Sequence, residues 1–553
     1  MSNKRMNLII NALTRAHKSI DYSICVGFHK QYEFCEQKIL NDDSLTEEEK
    51  TEAIRLNNRA YDRDKIYFNS GTRRICENCN QKCLATLYCE YCVRNYLKTN
   101  FSNWTSGNND IDNLIKNCQM ETFNPDAIIE WIPYNNLQNI KYLTRGGFSN
   151  IYTANWIDGR YAEWDSKEQQ LIRLGTRVVI LKELENIENA SQSWFEEAKS
   201  HLTLSNKSPD IVQCFGLTKN PSNGNYLLVM SKFDMNLKEY LQQNHNQLTW
   251  KERIRITFEI IEALYYIYKE DSIHRDLHSG NILYSRSNDS WRISDLGFCG
   301  PADKPSTTSI YGNLPYIAPE IIIGREYTFK SDIYSIAMLM WEISFGQPPF
   351  MNYEHDCILA INIIDGIRPV IISEIPSKYK SLMEQCWDAN PLKRPDTNAV
   401  WKTIREIKTY YQNNPNELPQ LIAKVDKEKI NMNSKSFTSK TYKFDNLPKP
   451  KNATEEEQKA FYIRRSYDFS ISSNSSNLSN SSNQYMPISS NDNDSKESPR
   501  LSKKLKIENV DVQNDYVREF MQQQSNIGTN DEVQNNPSLH SEQDKSEILD
   551  DES

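Results

Sequence analysis

The residues best suited to catalysis lie in one short run, IHRDLHSGN, at residues 273–281. Transfer of a phosphoryl group to a hydroxyl requires a carboxylate that orients the hydroxyl and accepts its proton, and an amide oxygen that holds Mg²⁺ nearby. Asp276 and Asn281 lie five positions apart on a predicted tight loop and carry these two groups. The run therefore predicts a catalytic loop, with Asp276 as the base and Asn281 as a magnesium ligand.

A second acidic loop follows in the sequence. The triplet DLG, residues 295–297, begins 14 residues after Asn281 and directly follows the strand-like run WRIS. We expect Asp295 to bridge Mg²⁺ to the β- and γ-phosphates of a nucleotide, and Gly297 to permit the backbone turn.

These runs occur in a fixed order with APE at residues 318–320, DIYS at 332–335 and RP at 394–395. The set resembles the protein-kinase signature, and HRDLHSGNIL, SDLGFCGP and YGNLPYIAPE look most like the tyrosine-kinase-like branch, as expanded in certain soil fungi. The resemblance implies a bilobal α+β fold, with a small β-rich lobe and a large helical lobe. It also implies an ATP- and Mg²⁺-dependent enzyme of intracellular signalling that phosphorylates Ser/Thr hydroxyls of proteins, with Tyr as the alternative acceptor.

The same resemblance assigns residues upstream. Lys182, in VILK, matches the strand lysine that holds the α- and β-phosphates, and Glu197 is its expected ion-pair partner on a helix, with Glu196 as the rival. The expected catalytic residues are Lys182, Glu197, Asp276, Asn281 and Asp295. The expected nucleotide-binding residues are Gly146, Gly147, Ile151, Ile180, Lys182, Met230, Asn281 and Asp295, with Asn281 and Asp295 as the Mg²⁺ ligands.

The chain departs from the family pattern at several positions. Ile180 replaces the alanine that usually precedes the lysine by two residues, and only Gly146 matches the usual glycine positions of the phosphate-covering loop. His278 replaces the cation usual in Ser/Thr kinases, and Asn313 replaces the usual threonine. The alternative interpretation is therefore a catalytically weak pseudokinase scaffold that acts through a cysteine module and the tail.

The stretch KPSTTSIY, between the DLG and APE triplets, is polar and short of apolar anchors. A phosphate there would suit the guanidinium of Arg275, beside the catalytic aspartate. We expect phosphorylation to switch this segment at one or more of Ser306, Thr307, Thr308, Ser309 and Tyr311.

Five of the 12 cysteines lie within 17 residues. Two CxxC pairs, Cys76 with Cys79 and Cys89 with Cys92, suit a closed tetrahedral zinc site of structural type, and Cys83 is an alternative ligand. Reduced free thiols are the competing interpretation. Neighbouring arginines and Lys82 leave nucleic-acid binding open, but acidic residues inside both pairs make docking of a protein partner at least as good an interpretation.

The rest of the sequence predicts the domains that carry these sites. We expect a helical region over residues 1–70, in which a capping box of Ser44 and Glu47 begins the helix EEEKTEAIRL. We expect a zinc-ribbon-like module over 71–95 and a linker over 96–136. The kinase-like domain is expected over 137–412, with Glu320 and Arg394 forming a buried ion pair. The Asn- and Ser-rich remainder, 413–553, is expected to be disordered.

Composition limits the partners. The formal net charge of −9 gives no global affinity for nucleic acid or anionic membranes, and no apolar run approaches the roughly 18–20 residues needed to span a bilayer. We expect a cytoplasmic protein whose partners are ATP and a protein substrate, without a membrane. Nucleic acid is disfavoured, and a protein partner on the cysteine module or the tail is left open. The basic run SPRLSKKLKIE in the tail leaves a nuclear location as the alternative.

Overall fold

The computed structural model describes residues 3–22, 24–122, 124–146, 149–184, 194–205, 207–300, 310–371, 374–418, 439–444 and 447–463. The chain divides into two compact units, residues 1–453 and 454–553. Of the second unit, the structure describes a helix over 455–463 that begins with a reciprocal cap between Thr454 and Glu457. None of the helices in these ranges is long and apolar enough to cross a membrane.

Three helices form the N-terminal region: α1 (Asn3–Lys18), α2 (Phe28–Leu40) and α3 (Glu47–Tyr67). They share a small core that includes Ile9, Cys35, Ile39 and Ala53. The cap of α3 differs from the expected pair of Ser44 and Glu47. Thr46 Oγ1 accepts from the Glu49 N–H and Glu49 Oε2 accepts from the Thr46 N–H, so the capping box lies two residues downstream.

The next region contains the hairpin of β1 (Arg74–Ile75) and β2 (Lys82–Cys83), then α4 (Glu90–Thr99), α5 (Asn109–Met120) and β3 (Glu130–Trp131). Residues 96–136 therefore differ from the linker expected there. Ile111 and Ile115 of α5 are fully buried, and β3 pairs with a strand of the main sheet. In the sequence, long polar stretches separate these short apolar runs, so the local pattern does not predict the helices and strand of this region.

The small lobe is built on β4 (Leu137–Arg145), β5 (Asn150–Trp156), β6 (Tyr161–Asp165), β7 (Gln170–Arg173), β8 (Arg177–Leu184), α6 (Trp194–Leu204), β9 (Cys214–Lys219) and β10 (Tyr226–Ser231). Six strands form one sheet in the order β3-β9-β10-β8-β5-β4, and β6 and β7 form a separate hairpin. Only the β3–β9 pair is parallel among the strand pairs of this sheet in the described ranges.

The large lobe contains β11 (Met235–Asn236), α7 (Leu237–Asn244), α8 (Trp250–Lys269), β12 (Ile282–Ser285), β13 (Ser290–Ile293), β14 (Ile310–Gly312), α9 (Pro319–Ile322), α10 (Phe329–Phe345), α11 (Cys357–Ile364), α12 (Ser377–Cys386) and α13 (Thr397–Asn413). Nearly all of α10 is buried, as expected for a helix that is apolar on every face. Arg394 and Glu320 form the expected buried ion pair, with two N–H···O contacts of 2.7 Å.

The described part of the chain after α13 does not match the disordered tail expected from residue 413. β15 (Lys440–Tyr442) pairs antiparallel with β14, with Thr441 opposite Tyr311. Further on, the Lys451 N–H donates to Ile364 O at 3.0 Å, and Asn452 Oδ1 accepts from the Ala389 N–H at 2.8 Å. Because these contacts join residues far apart in sequence, local composition does not reveal them.

The N-terminal helices contact both lobes. In α3, Arg55 forms an ion pair with Glu163 of the β6–β7 hairpin at 2.6 Å. At the end of α1, Lys18 pairs with Asp289 in the large lobe. The ring of Tyr22 lies 5.8 Å from that of Phe258 in α8. These three helices therefore bridge the two lobes.

Candidate active site

The Lys182 ammonium lies at the centre of the cleft between the lobes. Its Nζ lies 2.8 Å from Glu197 Oε1 and 2.6 Å from Asp295 Oδ1. Burial disfavours the charged lysine, but the carboxylates of Asp295 and Glu197 outweigh it and raise the pKa of Lys182. Burial also opposes the Asp295 charge, yet Lys182 holds the pKa of Asp295 well below its usual range. The three groups form a charged triad, and it is Glu197, not Glu196, that meets Lys182.

Packing behind α6 holds Glu197 in place. Ala198 and Leu202 of α6 share a buried core with Ile111 and Ile115 of α5, and Cys118 Sγ donates to Leu202 O at 3.7 Å. The expected linker region thus supplies the surface against which α6 rests.

The carboxylates of Glu197 and Asp295 also lie close to Gly297. A Cβ on Gly297 would lie 3.1 Å from Glu197 Oε1 and 3.3 Å from Asp295 Oδ1. A larger residue would therefore press on both carboxylates of the triad.

His201 belongs to this site, although it lies in no sequence motif. One ring nitrogen of His201 and one carboxylate oxygen each of Glu197 and Asp295 lie within 4.8 Å of one another. Burial, followed by the charge of Lys182, lowers the pKa of His201 to about 3. The ring is therefore neutral at physiological pH and adds no charge beside Lys182. Its position one helical turn after Glu197 is the only signal that could have indicated it.

The catalytic loop is fixed by a buried carboxylate. Asp332 in α10 accepts from the backbone N–H groups of His274 and Arg275 at 2.7 and 3.0 Å. Arg275 adopts a left-handed backbone conformation with φ of 69°. The following residue, Asp276, is buried. Burial, followed by the charge of Asp295, raises the pKa of Asp276 to about 8.

Asn281 returns to the same loop. Its Nδ2 donates to the Asp276 carbonyl oxygen at 2.8 Å. Because the amide nitrogen is held by the protein, the amide oxygen remains as the donor atom for a cation. Asn281 and the charged Asp295 offer two oxygen ligands, the type that Mg²⁺ prefers.

The expected nucleotide-binding residues lie mainly on neighbouring strands. Ile151 is opposite Lys182 between β5 and β8, and Ile180 is opposite Met230 between β8 and β10. Leu283 of β12 packs in the same apolar cluster as Ile180 and Met230. Sequence reasoning missed Leu283, although it lies only two residues after Asn281.

The phosphate-covering loop is described in part. The Gly146 N–H donates to Ser149 O at 2.8 Å, which closes the turn between β4 and β5. Gly147, the other predicted glycine of this loop, lies outside the described residues.

On the other side of Asp276, His278 and Ser439 face each other. His278 Nδ1 accepts from the Gly280 N–H at 3.0 Å. Burial lowers the pKa of His278 to about 4, so the ring is neutral and its hydrogen lies on Nε2. That nitrogen lies 3.1 Å from Ser439 Oγ. Ser439 Oγ also lies 3.0 and 3.1 Å from Asp276 Oδ1 and Oδ2. No sequence motif indicated Ser439.

Comparison with known proteins agrees with this geometry. The family described as "Protein tyrosine and serine/threonine kinase" matches residues 137–404. This segment belongs to the protein-kinase superfamily.

Among curated relatives of the kinase domain, the Dictyostelium discoideum protein named "Probable serine/threonine-protein kinase roco7" is 25% identical over 323 residues, which is 56% of this chain and 12% of that protein. "Dual specificity protein kinase zakA" of the same organism is 31% identical over 202 residues, 33% of this chain and 26% of that protein. The mouse "Dual serine/threonine and tyrosine protein kinase" is 31% identical over 185 residues, 33% of this chain and 19% of that protein.

The chain spans only about a tenth to a quarter of the length of these relatives. The likeness therefore concerns the kinase domain. The narrower resemblance to kinases of certain soil fungi stays a prediction.

The kinase domain's expected switch segment is described only at its end. Ser306, Thr307, Thr308 and Ser309 lie outside the described residues. Tyr311 lies in β14, where its ring stacks on Phe298 with centroids 4.2 Å apart. Arg275 Nη1 donates to Phe298 O at 3.3 Å. Switching by phosphorylation stays a prediction.

The two CxxC pairs come together before the kinase domain. The four Sγ atoms of Cys76, Cys79, Cys89 and Cys92 lie within 4.8 Å of one another. The Cys76–Cys92 and Cys79–Cys89 separations are 3.7 and 3.6 Å. A tetrahedral site with Zn–S bonds of about 2.3 Å has S···S edges of about 3.8 Å, so the thiols fit zinc. Cys83 instead groups with Cys89 and Glu90.

The cysteine module packs against the kinase domain. Its hydrophobic core includes Trp164 and Leu171 of the β6–β7 hairpin together with Tyr88, Val93 and Leu97. The comparisons give no support for a protein partner on this module. The structure instead shows this module in contact with the β6–β7 hairpin of the same chain.

Proposed function

We propose that the kinase domain transfers the γ-phosphate of ATP to Ser/Thr hydroxyls of proteins in intracellular signalling. The observation that carries this proposal is the triad of Lys182, Glu197 and Asp295, with N···O distances of 2.8 and 2.6 Å. Protein kinases require an ion pair between the strand lysine and the helix glutamate for phosphate binding, and a loop aspartate for Mg²⁺. A scaffold that does not bind nucleotide would have no need of this geometry.

Each residue takes a defined role in the proposed reaction. Asn281 and Asp295 would hold Mg²⁺, which neutralises charge on the β- and γ-phosphates when bound. Lys182 binds the α- and β-phosphates, and Glu197 keeps it in place. Asp276 orients the acceptor hydroxyl and accepts its proton.

The acceptor side supports Ser/Thr over Tyr. A serine hydroxyl, that of Ser439, reaches both oxygens of Asp276 at 3.0 and 3.1 Å. The longer tyrosine side chain would require the substrate backbone to lie farther from Asp276. His278 Nε2–H donates to the same hydroxyl position, which gives a role to the residue that replaces the usual cation.

The test is a comparison of full-length wild type and Asp276→Asn with Mg²⁺, ATP and casein. The variant should lose about 10²- to 10⁴-fold in turnover, because it lacks the base, and should bind ATP as wild type does. Asp43→Asn is the matched control, since Asp43 is exposed in the turn between α2 and α3. Turnover of Asp276→Asn near that of wild type would contradict the proposal, as would a wild type that binds Mg·ATP but phosphorylates nothing.

We also propose that Cys76, Cys79, Cys89 and Cys92 bind one structural zinc ion. The support is the match of two thiol separations, 3.7 and 3.6 Å, to the edges of a tetrahedral site. Metal analysis of the purified protein should find one zinc per chain.

A variant carrying both Cys76→Ser and Cys79→Ser should lose the metal. Hydrogen exchange should then increase over residues 74–97 and over β6 and β7, whose Trp164 and Leu171 share the module's core. The catalytic loop should stay protected. Cys357→Ser is the control, because Cys357 is exposed. A wild type without zinc would favour the free-thiol interpretation.

A further inference from the structure

A segment from the C-terminal part of the chain lies along the acceptor side of the active site. β15 pairs antiparallel with β14, the last described strand before the APE triplet, in the register Ile310 to Tyr442 and Gly312 to Lys440. Addition of an extended segment to an exposed strand is a common mode of peptide recognition, in which main-chain hydrogen bonds give affinity and side chains set the register.

The register places one hydroxyl at the catalytic base. Ser439, just before β15, directs its Oγ to both carboxylate oxygens of Asp276, at 3.0 and 3.1 Å, and to His278 Nε2 at 3.1 Å. Catalysis requires a base within about 2.6–3.2 Å of the proton donor. The Ser439 hydroxyl meets this distance criterion before any substrate is added.

The backbone of β14 allows this approach. Gly312 has φ of +142°, and a Cβ there would lie 3.4 Å from Asp276 Oδ1 and 3.2 Å from the Ile317 side chain. A side chain at this position would therefore crowd the base where the acceptor hydroxyl binds.

Contacts hold the segment on both sides of residues 445–446, which lie outside the described residues. Tyr442 is only 8% exposed, and its ring stacks on Phe444 at 5.6 Å. Beyond residues 445–446, Lys451 and Asn452 bond to the large lobe at Ile364 and Ala389. By contrast, the side chain of Thr441 is exposed.

We propose that Ser439 is phosphorylated by the active site of its own chain. The inference rests on the proposed function and names a substrate of that site. The Ser439 oxygen forms the new P–O bond, the bond between the γ-phosphorus and the β,γ-bridging oxygen breaks, and ADP leaves. The hydroxyl proton passes to Asp276.

Phosphorylation should also release the segment. A phosphoserine carries a charge of about −1.5 to −2 at pH 7. Once the transferred proton has left Asp276, this charge would face its carboxylate, so the product is repelled from the position that the hydroxyl occupied. Each chain should therefore modify Ser439 once, after which the acceptor side of the active site becomes free for other proteins.

The test uses the full-length protein, treated with phosphatase and then given Mg²⁺ and ATP, with mass spectrometry of the Ser439 peptide over time. Ser439 should become phosphorylated with a first-order rate constant that does not change on dilution of the protein. Ser439→Ala should lack this signal, and it should phosphorylate casein more slowly than the phosphorylated wild type, because its segment is not released from the acceptor side.

Tyr442→Ala and Thr441→Ala test the register of the segment. Loss of the buried ring should slow Ser439 modification by at least about tenfold, as for a buried aromatic anchor in an interface, whereas loss of the exposed threonine should not. Both variants should phosphorylate casein, which shows that they fold. Equal Ser439 rates in wild type and Tyr442→Ala would overturn the inference.

Two other outcomes are distinguishable. Casein phosphorylation without Ser439 phosphorylation, or a Ser439 rate proportional to protein concentration, would overturn self-modification within the chain and leave the proposed function intact. If neither casein nor Ser439 is modified, the proposed function itself fails and the inference falls with it.

Discussion

The two sides of Asp276 are built in different ways. The nucleotide side takes Lys182, Glu197 and Asp295 from elements of the kinase domain itself, and ion pairs of 2.8 and 2.6 Å join them. The acceptor side takes Ser439 from a segment beyond the kinase domain, held by strand pairing and one buried ring. Charge fixes the first side and main-chain pairing fixes the second, so variants should separate them.

Lys182→Met should have the largest effect and should act on the nucleotide side alone. It removes the cation proposed to bind the phosphates, and it leaves the carboxylates of Glu197 and Asp295 without their lysine partner. We expect turnover to fall about 10²- to 10³-fold, the usual cost of removing one electrostatic contact to the transition state. Measurements of kcat and of ATP binding test this expectation.

The control is Lys402→Met, because Lys402 is an exposed lysine of α13 with only a 4.0 Å ion pair. The Ser439 contacts to Asp276 should persist in Lys182→Met. Turnover close to that of wild type in this variant would show that the triad does not bind the phosphates.

His278→Ala should have a smaller effect, confined to the acceptor side. It removes one neutral hydrogen-bond donor, so turnover should fall about 2- to 10-fold, while ATP affinity should stay unchanged. His278→Gln keeps a donor and should recover part of the rate.

The His278 effect should be the same from pH 6 to pH 8. Burial lowers the pKa of His278 to about 4, so the ring gains a proton only below that range. An effect that grows as the pH falls from 8 to 6 would instead indicate a cationic histidine that acts on the phosphate.

Ile115→Ala should have the smallest effect on catalysis. Truncation of this buried side chain of α5 should cost about 2–5 kcal/mol of folding free energy and loosen the support of α6. The KM for ATP should rise, and Ser439 should keep its place. Thermal unfolding and ATP kinetics test this expectation. Ile358→Ala is the control, since Ile358 is 67% exposed. An unchanged KM would show that α6 needs no support from α5.

The sequence indicated which residues meet around Lys182 because they lie in short runs with a recognisable spacing, and their catalytic roles stay predictions. Asp276, Asn281 and Asp295 each come from a run whose spacing already implies a loop, and Lys182 and Glu197 lie on a strand and a helix as expected. The thiols of the two CxxC pairs also come together, because a turn of two intervening residues brings each pair close.

What the sequence did not reveal depends on contacts between distant residues. Ser439 lies in a polar stretch without periodicity, and only its pairing with β14 identifies it. Ile111 and Ile115 lie in a stretch that resembles a polar linker, yet they pack on α6. His201 is indicated only by its place one turn after Glu197. In each case the partner, rather than the local pattern, determines the position.

The N-terminal helices have a consequence for turnover. A kinase must open its cleft to exchange ADP for ATP, and lid opening or product release is the slow step in many enzymes. Here Arg55 is tied to the small lobe, while Lys18 and Tyr22 are tied to the large lobe, through one set of packed helices. This set of helices acts as a brace between the two lobes. The ion pairs of the brace, far from any reacting atom, should therefore limit how fast the enzyme releases its nucleotide.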